Sequence, residues 1–311
     1  MNLRHLRYFV TLAREKHHGR AAAACHVTQA TLSEAIKQLE AELGVPLIDR
    51  GGPRFRGLTT EGRRVLDWAQ LMLADQDGLE QELAEMRQGL SGRVRLGVIP
   101  AALAAAPFIT TPFCRRHPNV TAEVISMTSV QIQRGLDGFE LEAGLTYLDN
   151  EPLANVRSYP LYQERYVLLT PSSGPLGRRE SVSWREAAQL PLCLLSADMQ
   201  NRRIIDRIIR EAGGSAARPR METGSMLAIC AHVRVGGWSS IVPHSLLLVL
   251  GAGADLRALP LEQPSAFHTV GLVASSRDPL SPLARAFLAE AGTIEVAGAL
   301  EMPAEVDRKR R

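Results

Sequence analysis

The sequence predicts a multidomain chain: an N-terminal all-α head carrying a winged helix-turn-helix, one long linker helix, and a C-terminal α/β part. Three observations carry this. The stretch from Gly19 to Gly44, GRAAAACHVTQATLSEAIKQLEAELG, reads as a short helix, a tight break and a longer amphipathic helix. From Thr60 to Gln88 a helical pattern runs without a proline. From Arg93 onward, short apolar runs alternate with helical stretches, the pattern of a largely parallel sheet. A chain of 311 residues is also too long for one ordinary core.

Met1 to Lys16 reads as a first helix, with Leu3, Leu6, Phe9, Val10 and Ala13 as the inward stripe. Tyr8 serves either the core or a phosphate contact, and the core is favoured. The alanine run Ala21 to Cys25 forms the short helix, because alanine has the highest helix propensity and leaves little bulk between packed helices. His26 and Val27 sit in the break, and Thr28 is placed to cap the next helix. There Ala35, Ile36, Leu39 and Leu43 recur at helical spacing and face inward.

Short polar side chains then remain near the start of the exposed face. Two helices crossing at a large angle let the second enter a DNA major groove. Gln can bond adenine, Thr and Ser can bond several bases, and a helix N-terminus favours phosphate. Thr28, Gln29, Ala30, Thr31, Ser33 and Lys37 are the candidate contacts. A plain helical hairpin with an alanine-rich first helix has the same local pattern, so the flanks must decide.

Val45-Pro46 ends that helix, since proline disfavours helix in the residue before it. Leu47 to Leu58 reads as two short strands around a Gly-Gly-Pro tip, a β-wing bearing Arg50, Arg54 and Arg56. Guanidiniums on a protruding hairpin suit backbone or minor-groove contact, positioning the protein without specifying a sequence. A solvated hairpin is the alternative. Charge agrees with the DNA reading: residues 1 to 64 hold eleven Lys and Arg against six Asp and Glu, whereas residues 65 to 92 hold one against six.

Along the linker helix, Leu66, Ala69, Leu73, Leu79, Leu83, Met86 and Leu90 supply an apolar seam beside an acidic outer face. A long helix of this kind finds its partner in a second chain, or else packs within its own. Gly89 to Gly92 is a natural hinge. Beyond it, strands are predicted at 93–99, 119–127, 141–148, 165–171, 191–196, 220–222, 238–243 and 267–275. The helices between and after them are expected at 101–117, 129–136, 202–212, 225–235 and 282–291.

MNLRHLRYFVTLAREKH, RAAAACHVTQATLSEAIKQLEAELGVPLIDR and FRGLTTEGRRVL together resemble the winged helix-turn-helix head of the LysR-type transcriptional regulators, without a gap. The resemblance continues to about residue 295. Departures fall at Ala30, where proline or serine is usual, at Glu34, where arginine is common, and at Lys16-His17-His18-Gly19, where a serine-containing turn is usual. They bear on DNA preference and leave the fold untouched.

The resemblance implies a two-lobed effector domain like the type 2 periplasmic binding proteins, with two crossovers. The implied organisation is a DNA-binding domain over 1–59, a linker and dimerisation helix over 60–88, and a hinge over 89–92. Effector subdomain I spans 93–163 and 264–295, subdomain II 164–263, and a flexible basic tail 296–311. Antiparallel pairing of the linker helices, a homotetramer built as a dimer of dimers, a partly palindromic double-stranded promoter site and RNA polymerase as downstream partner are implied in the same way.

In open α/β sheets, ligands sit at the C-terminal ends of strands beside helix N-termini. That rule nominates Pro100, Ala101, Ser129 and Tyr147 from the first lobe and Asn201 and Arg202 from the second. Arg202 is placed to pair with a carboxylate, so a small anionic effector is expected.

Other classes fit poorly. The sequence has no GxSxG, P-loop, HExxH or GxGxxG opening a βαβ unit, and its eight histidines show no metal spacing, so neither enzyme activity nor a cofactor is expected. Cys25, Cys114, Cys193 and Cys230 are scattered without a CxxC pair and read as free thiols. No run of about 18 apolar residues exists, nor a signal-peptide segment, so no membrane partner and a cytoplasmic location are expected. The rival is a cytoplasmic small-molecule binding protein whose basic head meets DNA only nonspecifically.

Overall fold

The computed structural model describes residues 1–49, 55–214, 217–250 and 255–300. The chain divides into two compact units, Met1–Gly89 and Leu90 onward.

In the first unit, α1 spans Leu3–Glu15 and ends where Lys16 turns left-handed. Its buried stripe is Leu6, Tyr8, Phe9, Thr11 and Leu12, so Leu12 faces the core and Leu3, expected inward, lies 39% exposed. The second helix, α2 (His18–Ala24), starts three residues earlier than its alanines predict. The cause is His17, whose Nδ1 accepts the N–H groups of Gly19 at 3.1 Å and Arg20 at 3.2 Å and so caps the helix. After His26, with φ of 55°, Thr28 caps α3 (Gln29–Leu43). Leu32, Ala35, Ile36 and Leu39 are buried on α3, in one cluster with Leu6, Phe9, Leu12 and Ala21.

Glu40, also on α3, is buried, and its carboxylate accepts the backbone N–H groups of Leu47 (2.8 Å) and Ile48 (3.3 Å). It thereby fixes the point at which the chain leaves α3 for the hairpin. The hairpin's described arms meet through an antiparallel bridge between Ile48 and Leu58 and a bond from Asp49 N to Gly57 O. Arg50 and Arg54 lie outside the described residues.

Thr59 closes the unit. Its hydroxyl donates to Pro46 O and accepts from Gly62 N, capping α4 (Thr60–Gln88) while tying it to the segment that follows α3. Ala69 and Leu73 of α4 bury against the head, whereas Leu79, Leu83 and Met86 are exposed, as are Trp68 and Met72. The expected seam therefore splits: its first half packs on the head and its second half is uncovered.

In the second unit, β1 (Gly92–Val98) leads through a 3-10 turn at Pro100–Ala102 to α5 (Pro107–Arg116). The helix starts later than expected because Pro107 takes the first helical position, where its missing N–H costs nothing. Next come β2 (Val120–Ser126), α6 (Ser129–Asp137), β3 (Ala143–Tyr147) and the 16-residue β4 (Val156–Pro171). The second lobe adds β5 (Val182–Ser183), α7 (Trp184–Ala187), β6 (Cys193–Leu195), α8 (Gln200–Glu211), β7 (Met221–Thr223) and α9 (Met226–Gly236). It continues with β8 (Ser240–Pro243), a 3-10 turn at His244–Leu246, α10 (Leu247–Leu250) and β9 (Leu256–Glu262). The chain then returns through β10 (Phe267–Ser275), α11 (Pro282–Ala291) and α12 (Val296–Leu300).

One sheet joins the lobes, in the order β2-β1-β3-β10-β4-β9-β5 with β8 also on β4. Between Val156 and Arg165, β4 pairs with β10 through nine residues, skipping Leu161 at a bulge opposite Val270 and Gly271, and from Tyr166 onward the strand pairs with β8 and β9. β4 is thus the outgoing crossover, and β9 passing into β10 is the return. Val296 and Leu300 are buried, so the segment taken as the start of a flexible tail is instead a helix of the first lobe, its two apolar residues one turn apart. Residues 301–311 lie outside the described residues.

Candidate functional site

On the head, Thr28, Gln29, Ala30, Thr31 and Lys37 are exposed along one end of α3, with Ser33 half-buried among them. The Thr28 hydroxyl accepts Thr31 N at 3.1 Å and lies 2.8 Å from the Thr31 hydroxyl. Thr28 therefore holds the helix start, and Gln29, Ala30 and Lys37 present the free surface. Arg56 is exposed on the second arm of the hairpin. Of the nine nominated residues, the seven that are described put small or polar groups on the first turns of α3, one cation, Lys37, at its middle and another, Arg56, on the hairpin arm.

In the second unit the C-terminal ends of three strands lie side by side. Val98 of β1 pairs with Ser126 of β2 and Leu145 of β3. Pro100 and Ala101 follow the first, buried. Ser129, buried, opens α6 behind the capping box of Thr128 and Gln131. Tyr147 ends the third and is 1% exposed.

From the other lobe, Asn201 reaches this edge. Its Nδ2 donates to the Tyr147 hydroxyl at 2.9 Å. Gln200 accepts from the Thr146 hydroxyl (3.3 Å) and donates to Asn150 O, and Arg203 pairs with Glu151. Gln200, Asn201 and Arg203 of α8 thus bind the end of β3 and the loop after it across the lobe junction.

Arg202 does not join them, which corrects its assignment as an effector contact. Its guanidinium points the other way, onto Leu195 O (3.0 Å), Glu222 (2.5 Å) and Asp206 (3.0 Å). Leu195 O and Glu222 hold α8 to β6 and β7, and Asp206, one turn along α8, takes the remaining contact, so the group is already engaged. On a helix, neighbouring residues point about 100° apart, so Asn201 and Arg202 cannot serve one cleft equally.

Behind Tyr147 lies a buried acid that the sequence reading missed. Glu164, on β4 next to the changeover, is fully buried, and burial pushes its carboxyl from 4.5 up to about 8, while bonds from the Tyr147 and Tyr162 hydroxyls pull the other way. The acid is therefore mostly neutral at pH 7. Tyr166 completes the set by donating to the Tyr147 hydroxyl at 3.4 Å. Burial, and then the Glu164 charge, raise Tyr147 well above the usual phenol range. The alternation Tyr162, Glu164, Tyr166 on one face of a strand was the available signal.

Among the described residues no group of three or more His, Cys, Asp or Glu is placed to hold a metal, and no helix is long and apolar enough to cross a membrane.

A helix-turn-helix head joined to a two-lobed α/β unit with a polar junction defines a DNA-binding regulator governed by an effector domain. The comparisons name the family. The "Bacterial regulatory helix-turn-helix protein, lysR family" profile matches residues 3–63, and the "LysR substrate binding domain" profile matches residues 87–293. The chain belongs to the LysR family of bacterial transcriptional regulators. It is 31% identical over 268 residues, covering 86% of each chain, to a probable hydrogen peroxide-inducible genes activator of Mycobacterium leprae. An uncharacterized HTH-type regulator of Escherichia coli, YnfL, is 29% identical over 297 residues, covering 92% of this chain and 96% of its own. Among solved structures, a cysteine variant of full-length OxyR from Pseudomonas aeruginosa matches at 28% identity and a TM-score of 0.71, over 96% of this chain and 98% of that one.

Proposed function

We propose that this regulator works in the cytoplasm as a dimer of dimers on a partly palindromic promoter, with RNA polymerase downstream, and that it answers to a small hydrogen-bonding effector. The exposed apolar half of α4 supports pairing with a second chain. Gln29, Ala30, Thr31, Ser33 and Lys37 read or approach bases, Thr28 sets the helix start, and Arg56, with Arg50 and Arg54, grips the backbone. For the effector, the observation that carries the reading is at the lobe junction. Asn150 and Asn201 are 2% and 3% exposed, yet both side-chain polar atoms of Asn150 and the Oδ1 of Asn201 have no hydrogen-bond partner. Leaving such groups unmatched costs about 1–3 kcal/mol each, and a ligand bearing both donors and acceptors relieves it.

Pro100, Ala101, Ser129 and Tyr147 form the remaining wall. With Arg202 committed elsewhere, the ligand is read by amides, a hydroxyl and backbone N–H groups, so an amide or other neutral polar compound suits the site better than a carboxylate. Occupation would reset the contacts of Gln200 and Asn201 with the first lobe, and hence the lobe angle, by as much as the ligand prefers one arrangement.

Peroxide, the signal in the names of several relatives, is a poorer reading for this chain. A sensing thiol must be reachable and ionised. Cys193 on β6 and Cys230 on α9 are buried, and burial pushes both thiols up, while the half-buried Cys25, at the end of α2, and Cys114, on α5, lie outside the wall of the proposed site.

The test is fluorescence anisotropy against DNA from upstream of the gene and against random DNA, at several salt concentrations, with a panel of small amides and carboxylates and with hydrogen peroxide. The expected result is preference for the upstream DNA that persists as salt rises and shifts with one panel member but not with peroxide. Asn150→Ala should abolish the shift and leave effector-free DNA affinity intact. A peroxide-dependent shift would overturn the effector reading.

A further inference from the structure

A second cavity lies away from the strand ends just described. It has a volume of about 540 Å³ and is lined by twelve residues, none of them Pro100, Ser129, Tyr147, Asn150 or Asn201. We propose that it is a second small-molecule site, selective for an aromatic carboxylate.

Its position follows from the topology. Arg165, Tyr166 and Val167 are the residues at which β4 changes partners from β10 to β8 and β9. Pro260 and Leu261 come from the end of β9, Phe267 from the start of β10, and Ser265 and Ala266 from the turn between them. Both crossovers therefore face the cavity. Its walls come from both lobes: Trp184, His244 and Leu247 from the second, Phe267 and Leu300 from the first. An occupant touches both lobes at the joint between them, so its affinity depends on the lobe angle.

Chemistry selects the ligand class. The volume is that of an ordinary small-ligand pocket. Trp184 and Tyr166, both buried, meet edge to face with ring centroids 5.8 Å apart, and Trp184 is anchored by its Nε1–H to Pro264 O at 3.0 Å. This pair is a fixed aromatic wall. Phe267, by contrast, is 52% exposed, an aromatic ring at the rim that burial under a flat ligand would cover.

Polarity is one-sided. Arg165 is exposed at the rim, and among the described residues its guanidinium makes no ion pair. Its backbone N–H donates to His244 Nδ1 at 3.1 Å, which fixes that ring's orientation in the wall. Apart from Arg165 and His244, the lining holds, among the described residues, no ionisable group but the phenol of Tyr166 and no carboxylate. A cation beside an aromatic slot pairs with an aromatic anion, and the guanidinium fork matches a carboxylate in particular.

The test is calorimetric titration of the full-length protein with 2-naphthoate, with 2-naphthylmethanol and 2-naphthylmethylamine as neutral and cationic counterparts. Expected is saturable binding of 2-naphthoate, at least about tenfold tighter than either counterpart. Arg165→Gln should weaken 2-naphthoate about tenfold or more and bring it level with the alcohol. Ala266→Trp should remove binding by filling the cavity, and Phe267→Ala, at an exposed position, should weaken all three probes without affecting folding. Asn150→Ala should leave 2-naphthoate binding unchanged, which separates this site from the lobe-junction site. Absence of saturable binding by wild type, equal affinity for the three probes, insensitivity to Arg165→Gln, or loss in Asn150→Ala would each overturn the proposal.

Discussion

Replacing Glu164 by glutamine tests whether a neutral acid is built into the crossover. In the folded chain the carboxyl is held at about 8, against 4.5 in its ordinary state, chiefly by burial. A carboxyl raised in the folded state favours folding when protonated, so its contribution is fully present below pH 4.5 and is lost as pH rises toward 8. The loss is about 1.4 kcal/mol per pH step in that window, on the order of 3 kcal/mol at pH 7 and about 5 kcal/mol once both states are ionised. Glutamine keeps the shape, offers one acceptor to Tyr147 or Tyr162, and never ionises.

Urea unfolding followed through the effector-unit tryptophans Trp184 and Trp238, at pH 5.5 and pH 8.5, supplies the measurement. The difference between Glu164→Gln and wild type should move in the variant's favour by about 3 kcal/mol between the two conditions, since all other titrating groups cancel in the comparison. A difference that does not change with pH would mean that Glu164 carries its charge inside the folded protein, and the reasoning from burial would fail.

Three further outcomes are expected. A Cβ at Gly62 would meet Leu47 O at 2.0 Å, a backbone atom that cannot yield without moving the start of the hairpin. Gly62→Ala should cost the head about 2–3 kcal/mol in thermal unfolding and lower DNA affinity with it. Arg202→Ala should destabilise the second lobe by about 1–3 kcal/mol by taking the shared cation from Asp206 and Glu222, and calorimetry should find effector affinity unchanged in the folded fraction. Gln29→Ala should reduce the ratio of specific to random DNA binding, whereas Arg56→Ala should weaken both alike and reduce the salt slope by about one, measured by anisotropy across a salt series.

Much of the molecule was legible in the sequence because local signals and global fold agree. Thr28 before an amphipathic run, Pro46 after it and the proline-free stretch to Gln88 mark element ends that depend on neighbouring residues alone. Of the three strands leading to Pro100, Ser129 and Tyr147, β3 is buried throughout and reads as an apolar run, since a strand covered on both faces needs no polar alternation, whereas β1 and the edge strand β2 mix valine, leucine and isoleucine with exposed polar positions.

Non-local pairing decided the rest. The segment from Val156 to Glu164 contains Pro160 and several charged or polar residues and looks like a loop, yet β10 supplies its hydrogen bonds and makes it the first half of the crossover. His17 became a helix cap because the backbone brings Gly19 and Arg20 to its ring. Residue type nominated Arg202 for a ligand, and only the fold showed that Leu195, Asp206 and Glu222 already occupy it. The same holds for Glu164: composition names a charged residue, and enclosure between Tyr147 and Tyr162 makes it a neutral one. Periodicity and capping are written in neighbouring residues, while the protonation and engagement of a side chain depend on what distant parts of the chain place around it.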